Sequence, residues 1–238
     1  MVIGNGMMAN AFAMRKNDEK HIIFASGVSN STETSREAFL REERLLHHTI
    51  ETHPSKITVY FSTCGIYDST LQNSPYIHHK LEMERLLRKH SQAFIIFRLP
   101  QVVGHTHSPT LINFLYHKII NQQPFELWEN SKRNLIDVQD VAKTVNYILD
   151  HQLFINQIVN LAAPHSNSVD EIIAILERLT QKRAVYQRLL KGGSYNIDLT
   201  QIQDIYRRLS INFGANYTED VIRKYYTQNE ICTLNLSR

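Results

Sequence analysis

Cysteine is scarce in this chain of 238 residues, and runs of one charge and long apolar stretches are missing. The two cysteines, Cys64 and Cys232, form neither a disulfide framework nor a zinc pattern, which favours a reducing compartment. No run of 18 apolar residues suggests a membrane span, and "MVIGNGMMANAF" lacks the pattern of a signal peptide. The net charge is only +3, and the basic clusters "RKH" and "SKR" are too short for a nucleic-acid surface. Composition therefore predicts a cytoplasmic protein that binds neither nucleic acid nor membrane.

Short apolar runs alternate with helical patterns along the chain. "HIIFASG", "KITVYFST" and "AFIIFRLP" have the length and composition of buried strands. Between them, "SREAFLREERLLHHTIETH" and "HHKLEMERLLRKH" carry apolar residues at helical spacing. The second half is less regular, but Ser168 precedes a helical pattern with acidic residues in its first turn. This alternation predicts an α/β protein with a parallel sheet covered by helices on both faces.

A glycine-containing turn follows the first short apolar run. Gly4-x-Gly6-x-x-Ala9 lies between "MVI" and a helix-compatible segment. Glycine allows the backbone to approach a pyrophosphate closely, and a helix N-terminus supplies N–H donors. The same pattern also occurs in an ordinary strand-to-helix turn, so both interpretations stay open at this point.

Tyr76 and Lys80 lie four residues apart and would share one face of a helix. A tyrosine with a pKa near 10 becomes useful for proton transfer when an ammonium about 4 Å away stabilises its phenolate. Thr63, at the end of the preceding strand pattern, could hold a substrate oxygen against that phenol. In a chain with 11 tyrosines the spacing also arises by chance, which leaves a surface tyrosine and a solvated lysine as the alternative.

The order of several motifs resembles that of one family. "VIGNGMMANAF", "FASGVSNS", "VYFSTCGIYD", "SPYIHHKLEMERLL", "IIFRLPQVVG" and "RNLIDVQDVA" occur as in the extended short-chain dehydrogenase/reductase (NAD-dependent epimerase/dehydratase) family, which acts on nucleotide sugars. Each motif is weak alone, but the ordered set covers nearly the whole chain. The resemblance implies a shortened Rossmann-like α/β fold, NAD or NADP as cofactor, and a nucleotide-linked sugar as substrate.

The resemblance also implies a catalytic set of Thr63, Tyr76 and Lys80. Thr63, with Ser62 as the weaker alternative, would orient the sugar oxygen. Tyr76 would be the general acid/base, and Lys80 would lower its pKa and bind the nicotinamide ribose.

Further binding residues follow from the same resemblance. The cofactor would contact Tyr76 and Lys80 together with Gly4, Gly6, Met7, Met8, Ala9, Ser26, Gly27 and Pro100. The substrate would contact Ser62, Thr63, Arg98 and Arg133. Arg133 would bind the diphosphate, although an exposed charge in a loop is the alternative. No metal site is expected, because the adjacent histidines of the two His-His pairs face different ways.

The chain departs from the family pattern in three places. Two strand-helix units that normally precede "HIIFASG" are missing, and with them the acidic residue that holds the adenosine ribose, so the choice between NAD and NADP stays open. The loop between Tyr67 and Tyr76 is short. Cys64 and Gly65 replace the acidic pair of sugar 4,6-dehydratases, which makes dehydration an unexpected activity. Cys64 is interpreted as a small buried thiol, with proton transfer alongside His105 or His107 as the alternative.

These observations predict an enzyme with two parts. Residues 1–104, completed by about 134–165, would bind the cofactor, and residues 105–133 and 166–238 would bind the substrate. The expected activity is NAD(P)-dependent reduction of a 4-keto sugar or 4-epimerisation, with polysaccharide precursors as the implied context. A homodimer is expected through helices 36–52 and 78–90. The alternative is a binding protein of the same fold that has lost turnover.

Overall fold

The structure is a computed structural model and describes residues 1–227, so Cys232 lies outside the described residues. Eleven strands are assigned in this range: β1 (Val2–Ile3), β2 (His21–Phe24), β3 (Ile57–Thr63), β4 (Phe94–Leu99), β5 (Gln101–Val103), β6 (Phe125–Trp128), β7 (Lys132–Arg133), β8 (Leu135–Asp137), β9 (Gln157–Asn160), β10 (Asn167–Ser168) and β11 (Tyr186–Leu189). The helices are α1 (Met7–Ala11), α2 (Arg36–Thr52), α3 (Pro75–His90), α4 (Leu111–Ile120), α5 (Val138–Asp150), α6 (Val169–Thr180), α7 (Gln203–Arg208) and α8 (Tyr217–Tyr226).

The central sheet has five parallel strands in the order β1-β2-β3-β4-β9. This confirms the predicted α/β architecture with a parallel sheet. The strand order runs in one direction only and begins at β1, which has two residues. A doubly wound sheet binds a dinucleotide where its strand order reverses. Within the described residues the central sheet has no such reversal, as expected if the two strand-helix units are missing.

Local sequence explains where the long helices begin. Ser35 accepts a hydrogen bond from the Ala38 N–H at the start of α2, and Pro75 occupies the first turn of α3. Ser168 and Glu171 form a capping box at the start of α6. The predicted Ser168 cap is therefore confirmed.

Two packed regions hold these elements together. The sheet is packed on one side against α5 and α7, and on the other against α2 and α3, with residues such as Ile95, Phe97 and Val145 almost completely buried. A second apolar cluster joins α4, α6 and α8 to β6 and β8. Full burial of one such side chain contributes about 2 kcal/mol to stability. β5 and β8 connect the central sheet to this second cluster, at the edge formed by the carboxyl ends of the parallel strands.

The second half contains short strand pairs that its sequence does not predict. β5 pairs with β8 and β6 pairs with β11 in parallel, whereas β7 pairs with β10 antiparallel. Pieces of two to four residues are too short for a period-two pattern to appear. No helix among residues 1–227 is long and apolar enough to cross a membrane.

Candidate active site

The carboxyl ends of the parallel strands meet at one edge of the sheet, where the predicted site residues gather. Gly4 follows β1 with a φ of +125°, and a Cβ there would lie 2.4 Å from the Ala25 oxygen. Both the conformation and the close approach require glycine. Gly6 precedes α1, and a Cβ on it would meet no atom within 4 Å. The backbone of this turn is therefore open on the side of Gly6.

The Thr63 hydroxyl lies close to the Tyr76 phenol at the end of β3. Thr63 accepts a hydrogen bond of 3.0 Å from the Gly65 N–H, which fixes its side chain at the strand end. Tyr76 lies in the first turn of α3 and is 9% exposed. Burial raises its pKa above the usual range, the nearby Thr63 hydroxyl opposes that rise, and the Glu42 carboxylate adds to it. At neutral pH Tyr76 is thus a protonated phenol beside a threonine hydroxyl.

Lys80 lies one turn further along α3 and is 3% exposed. Its Nζ atom lies 5.9 Å from the centroid of the Tyr76 ring. The ammonium donates to Glu42 Oε1 at 3.1 Å, to the Tyr60 hydroxyl at 3.0 Å and to the Phe61 carbonyl oxygen at 3.4 Å. All three of its N–H groups therefore have protein acceptors.

Glu42 was not predicted as a site residue, yet it is completely buried beneath the catalytic set. Its carboxylate accepts hydrogen bonds from the Tyr60 hydroxyl, the Val28 N–H and the Lys80 ammonium, and it pairs with the His79 ring at 2.9 Å. These partners, with the Lys80 charge foremost among them, hold the pKa of Glu42 well below its usual range although burial acts in the opposite direction. Glu42 is therefore an anion at neutral pH.

Ser62 and Arg98 both donate hydrogen bonds to a second buried carboxylate, that of Glu84. Glu84 accepts two hydrogen bonds from the Arg98 guanidinium, at 2.9 and 2.6 Å, and one from the Ser62 hydroxyl at 2.6 Å. Arg98 also donates to the Tyr67 hydroxyl. The structure thus brings Thr63, and not Ser62, to the Tyr76 phenol.

Arg133 lies in β7, across the site from α3. Its guanidinium donates to the carbonyl oxygens of Lys132 and Gly193, at 2.8 and 3.4 Å, and pairs with no carboxylate of residues 1–227. Tyr195, which sequence reasoning missed, lies near Arg133, Tyr76 and Cys64. Burial raises the pKa of Tyr195 to about 12. The segment after β11 therefore lies close both to the predicted catalytic residues and to Arg133.

Cys64 is buried, and its thiol donates to the Arg98 carbonyl oxygen at 3.2 Å. Burial raises the pKa of this thiol to about 12, which makes it unsuitable for proton transfer at neutral pH. His105 is exposed and packs edge-on against Tyr225 of α8. Residues 1–227 contain no group of three or more metal-ligating side chains.

The other predicted binding residues lie in the segments where the sequence placed them, and several of them make packing contacts. Met7 and Met8 pack against the two apolar clusters, and Ala9 is buried. Ser26 and Gly27 follow β2, and Pro100 separates β4 from β5. Arg15, shortly after α1, bonds to the side chains of Asn146, Asp18 and Asp150.

A nicotinamide dinucleotide fits one half of this site. The open Gly6 turn suits a phosphate, and Thr63 and Tyr76 lie at the strand ends where the nicotinamide side would be. The adenosine side has no strand beyond β1 within residues 1–227. Lys80 offers no free donor to a ribose as long as its bond to Glu42 persists.

Solved structures with the same fold include three enzymes of nucleotide-sugar metabolism. MoeE5, in complex with UDP-glucose and NAD, has a TM-score of 0.71 and 18% identity over 96% of this chain and 83% of its own. The UDP-glucose 4-epimerase of Thermus thermophilus, in complex with NAD, has a TM-score of 0.67 and 16% identity over 90% and 81%. The NAD-dependent NDP-hexosamine 5,6-dehydratase TunA, involved in tunicamycin biosynthesis, has 0.68 and 17% over 87% and 75%.

A family model matches more than half of the chain. It covers residues 20–162, which include β2 to β9 and the predicted catalytic residues Thr63, Tyr76 and Lys80. No curated protein matches the chain. The family model confirms the resemblance inferred from the sequence: the chain belongs to the NAD dependent epimerase/dehydratase family.

Proposed function

We propose that the protein is an NAD(P)-dependent nucleotide-sugar oxidoreductase that reduces a 4-keto sugar, with 4-epimerisation as the second possibility. The observation that carries the proposal is the buried Tyr76 phenol beside the Thr63 hydroxyl at the end of β3, with the Lys80 ammonium one helical turn away. A pure binding module has no chemical need for a buried phenol held in this way. NAD is bound in structures of relatives with the same fold, such as MoeE5.

Tyr76 and Thr63 would act together on the substrate oxygen. Thr63 would hold the keto oxygen against the phenol, and Tyr76 would give it a proton as the carbon is reduced. The phenol O–H bond breaks and a sugar O–H bond forms, and the phenolate regains its proton from solvent. A bound nicotinamide would supply the hydride. The raised pKa keeps Tyr76 protonated at neutral pH but makes it a weaker acid, and the Lys80 ammonium would stabilise the phenolate as the proton leaves.

The substrate would lie against β7 and the segment after β11, which are hydrogen-bonded to each other. The Arg133 guanidinium has no carboxylate partner in the described part of the chain, and its planar fork suits a diphosphate. We therefore propose Arg133 as the ligand of the sugar nucleotide's phosphates. The Nε and Nη2 atoms of Arg98 both donate to Glu84, so the contribution of Arg98 would be to hold the strand end.

Purified protein incubated with NADH and nucleotide-linked 4-keto hexoses tests the proposal. We expect NADH oxidation, followed by its absorbance, and a reduced sugar by mass spectrometry. Tyr76→Phe should reduce the rate by about 100-fold or more, because the proton donor is lost. Tyr147→Phe, on α5 and stacked on His151, is the matched control and should retain the wild-type rate. Equal rates for wild type and Tyr76→Phe would overturn the proposed mechanism.

A catalytically inactive binding protein is the second candidate. Two observations favour it: the fully bonded Lys80 and the central sheet without a reversal of strand order in residues 1–227. In that case a nucleotide sugar would bind in calorimetry, and no product would form with either NADH or NADPH.

A homodimer through α2 and α3 is part of the proposal. The exposed positions of these helices carry charges of both signs, among them Arg41, Glu43, Glu82 and Arg85. Ion pairs that such a surface forms across a two-fold axis would weaken at high salt. Light scattering at low and high salt would test this, and a monomeric mass under both conditions would contradict the dimer.

A further inference from the structure

Glu42 binds the very groups of Lys80 that a cofactor would need. We propose that Glu42 is a positioning residue that engages the Lys80 ammonium, and that a dinucleotide binds this chain only as Lys80 exchanges the carboxylate for ribose hydroxyls. The inference rests on the proposed function, because it concerns the cofactor side of the same site.

The hydrogen-bond count of Lys80 is the first support. An ammonium has three donors, and all three point to protein acceptors: Glu42 Oε1 at 3.1 Å, the Tyr60 hydroxyl at 3.0 Å and the Phe61 carbonyl oxygen at 3.4 Å. The Nζ atom lies 4.9 Å from the Tyr60 ring centroid and 5.9 Å from that of Tyr76. The ammonium is therefore closer to the interior tyrosine than to the catalytic one.

The second support is that Glu42 cannot easily follow a departing Lys80. Its Oε2 accepts from the Val28 N–H at 2.6 Å and pairs with His79 Nε2 at 2.9 Å, while its Oε1 accepts from the Tyr60 hydroxyl at 2.5 Å. His79 is itself stacked on Phe39 at 4.5 Å. The carboxylate is fixed by α2, β3 and α3 together, so the mobile member of the pair is the lysine.

The third support is the space around the pair. A Cβ on Gly27 would lie 2.7 Å from Glu42 Oε1 and 2.8 Å from Lys80 Nζ. The backbone after β2 therefore lies directly against the ion pair. A side chain at this position would force the end of Glu42 or of Lys80 to shift.

The pair also governs the charge that Tyr76 experiences. The titratable groups that face Tyr76 are Glu42 from α2, Tyr60 from β3, Lys80 from its own helix and Tyr195 from the segment after β11. Glu42 offsets the positive charge of Lys80 in this set. Neutralising Glu42 should leave the ammonium uncompensated and make the Tyr76 phenolate easier to form.

Calorimetric titration with NADH tests the exchange directly. Glu42→Gln keeps the size of the side chain and one acceptor oxygen but removes the charge that holds Lys80. We expect it to bind NADH at least tenfold more tightly than wild type. Glu43→Gln changes the net charge equally at the neighbouring exposed position of α2 and should match wild type. Equal or weaker binding by a folded Glu42→Gln would overturn the proposal.

A second readout needs no cofactor and separates this inference from the proposed function. Alkaline titration of tyrosinate absorbance is recorded for wild type and Tyr76→Phe, and again for both in a Glu42→Gln background. In each background, subtracting the titration of the Tyr76→Phe variant from that of its parent leaves the titration of Tyr76 alone. We expect its transition to begin at lower pH in the Glu42→Gln background. Unchanged differences would overturn the inference even if NADH binds, whereas a shift without any NADH binding would establish the charge coupling between Glu42 and Tyr76 and overturn the proposed exchange.

Tyr60→Phe serves if Glu42→Gln fails to fold. It retains the ring in the core and removes only the hydroxyl that bridges Lys80 and Glu42. One donor of Lys80 becomes free, so NADH binding should strengthen by about threefold or more. Binding unchanged from wild type in this folded variant would contradict the proposed exchange.

Discussion

The Lys80 Nζ atom lies 3.1 Å from Glu42 Oε1, and both side chains are almost completely buried, at 3% and 0% exposure. Removing one member of a buried ion pair leaves an uncompensated charge and costs about 3 kcal/mol. We expect Lys80→Met to lose about that much in free energy of unfolding, measured by urea denaturation. The double variant Lys80→Met/Glu42→Gln removes both charges and leaves an acceptor oxygen for the neighbouring donors, so it should regain part of it. A single variant as stable as wild type would show that the pair contributes nothing to the fold.

The two hydroxyl residues at the end of β3 should separate in their effects. Thr63→Val removes the hydroxyl that meets Tyr76, so kcat should fall by about 10- to 100-fold. Ser62→Ala removes a bond to Glu84 and should cost about 1 kcal/mol of stability with kcat within about twofold of wild type. Steady-state kinetics and urea denaturation of both variants check this. A larger kcat loss in Ser62→Ala would reverse the assignment.

Alanine substitutions of two glycines at the same edge of the sheet should differ in how much stability they cost. Gly27→Ala places a Cβ against the Glu42–Lys80 pair and should cost about 1–3 kcal/mol of stability. Gly6→Ala meets no atom within 4 Å and should cost less than about 1 kcal/mol. If phosphates approach this turn, Gly6→Ala should still weaken NADH binding. Thermal denaturation and calorimetry measure the two effects, and unchanged binding would remove Gly6 from the proposed site.

Asp18 should make the fold sensitive to acid. Its carboxylate accepts from Arg15 and from the Lys20 and His21 N–H groups and pairs with the His21 ring; these partners hold its pKa well below the usual range although burial opposes them. A lowered pKa in the folded state adds stability above the ordinary carboxyl range, and this is lost as the pH falls through the folded value.

We therefore expect Asp18→Asn to be less stable than wild type by about 2 kcal/mol at neutral pH. The difference should narrow as the pH falls below about 4, because wild type loses the contribution that the variant lacks. Urea denaturation at several pH values checks this. A constant difference between the two proteins would show that Asp18 acts only through neutral hydrogen bonds.

Much of the fold was predictable because its signals are local. Buried-strand runs and helical periodicity indicate the five strands of the central sheet and the long helices, and the Ser168 cap follows from two residues. The position of Thr63 beside Tyr76 was also predictable, since parallel strands end at one edge. The roles within the site stay predictions.

The buried support of the site was not predictable from the sequence. Glu42 lies in the charged run "REERL", where its neighbours are exposed, and nothing local indicates that it faces inward. Tyr60 appears as one more apolar strand residue. Their contact with Lys80 depends on how α2 packs against β3 and α3, which is a long-range relationship. For the same reason, nothing in "KGGSYNID" indicated that Tyr195 would lie near the site.

Calorimetric titration of the wild-type chain with NADH, and separately with NADPH, is the most direct test of the central claim. The account predicts that one of them binds, with one molecule per chain. The dissociation constant should be about 1 mM or lower, despite the missing adenosine side. Absence of heat for both at millimolar concentration, with the chain folded by circular dichroism, would contradict the claim that this shortened protein transfers hydride.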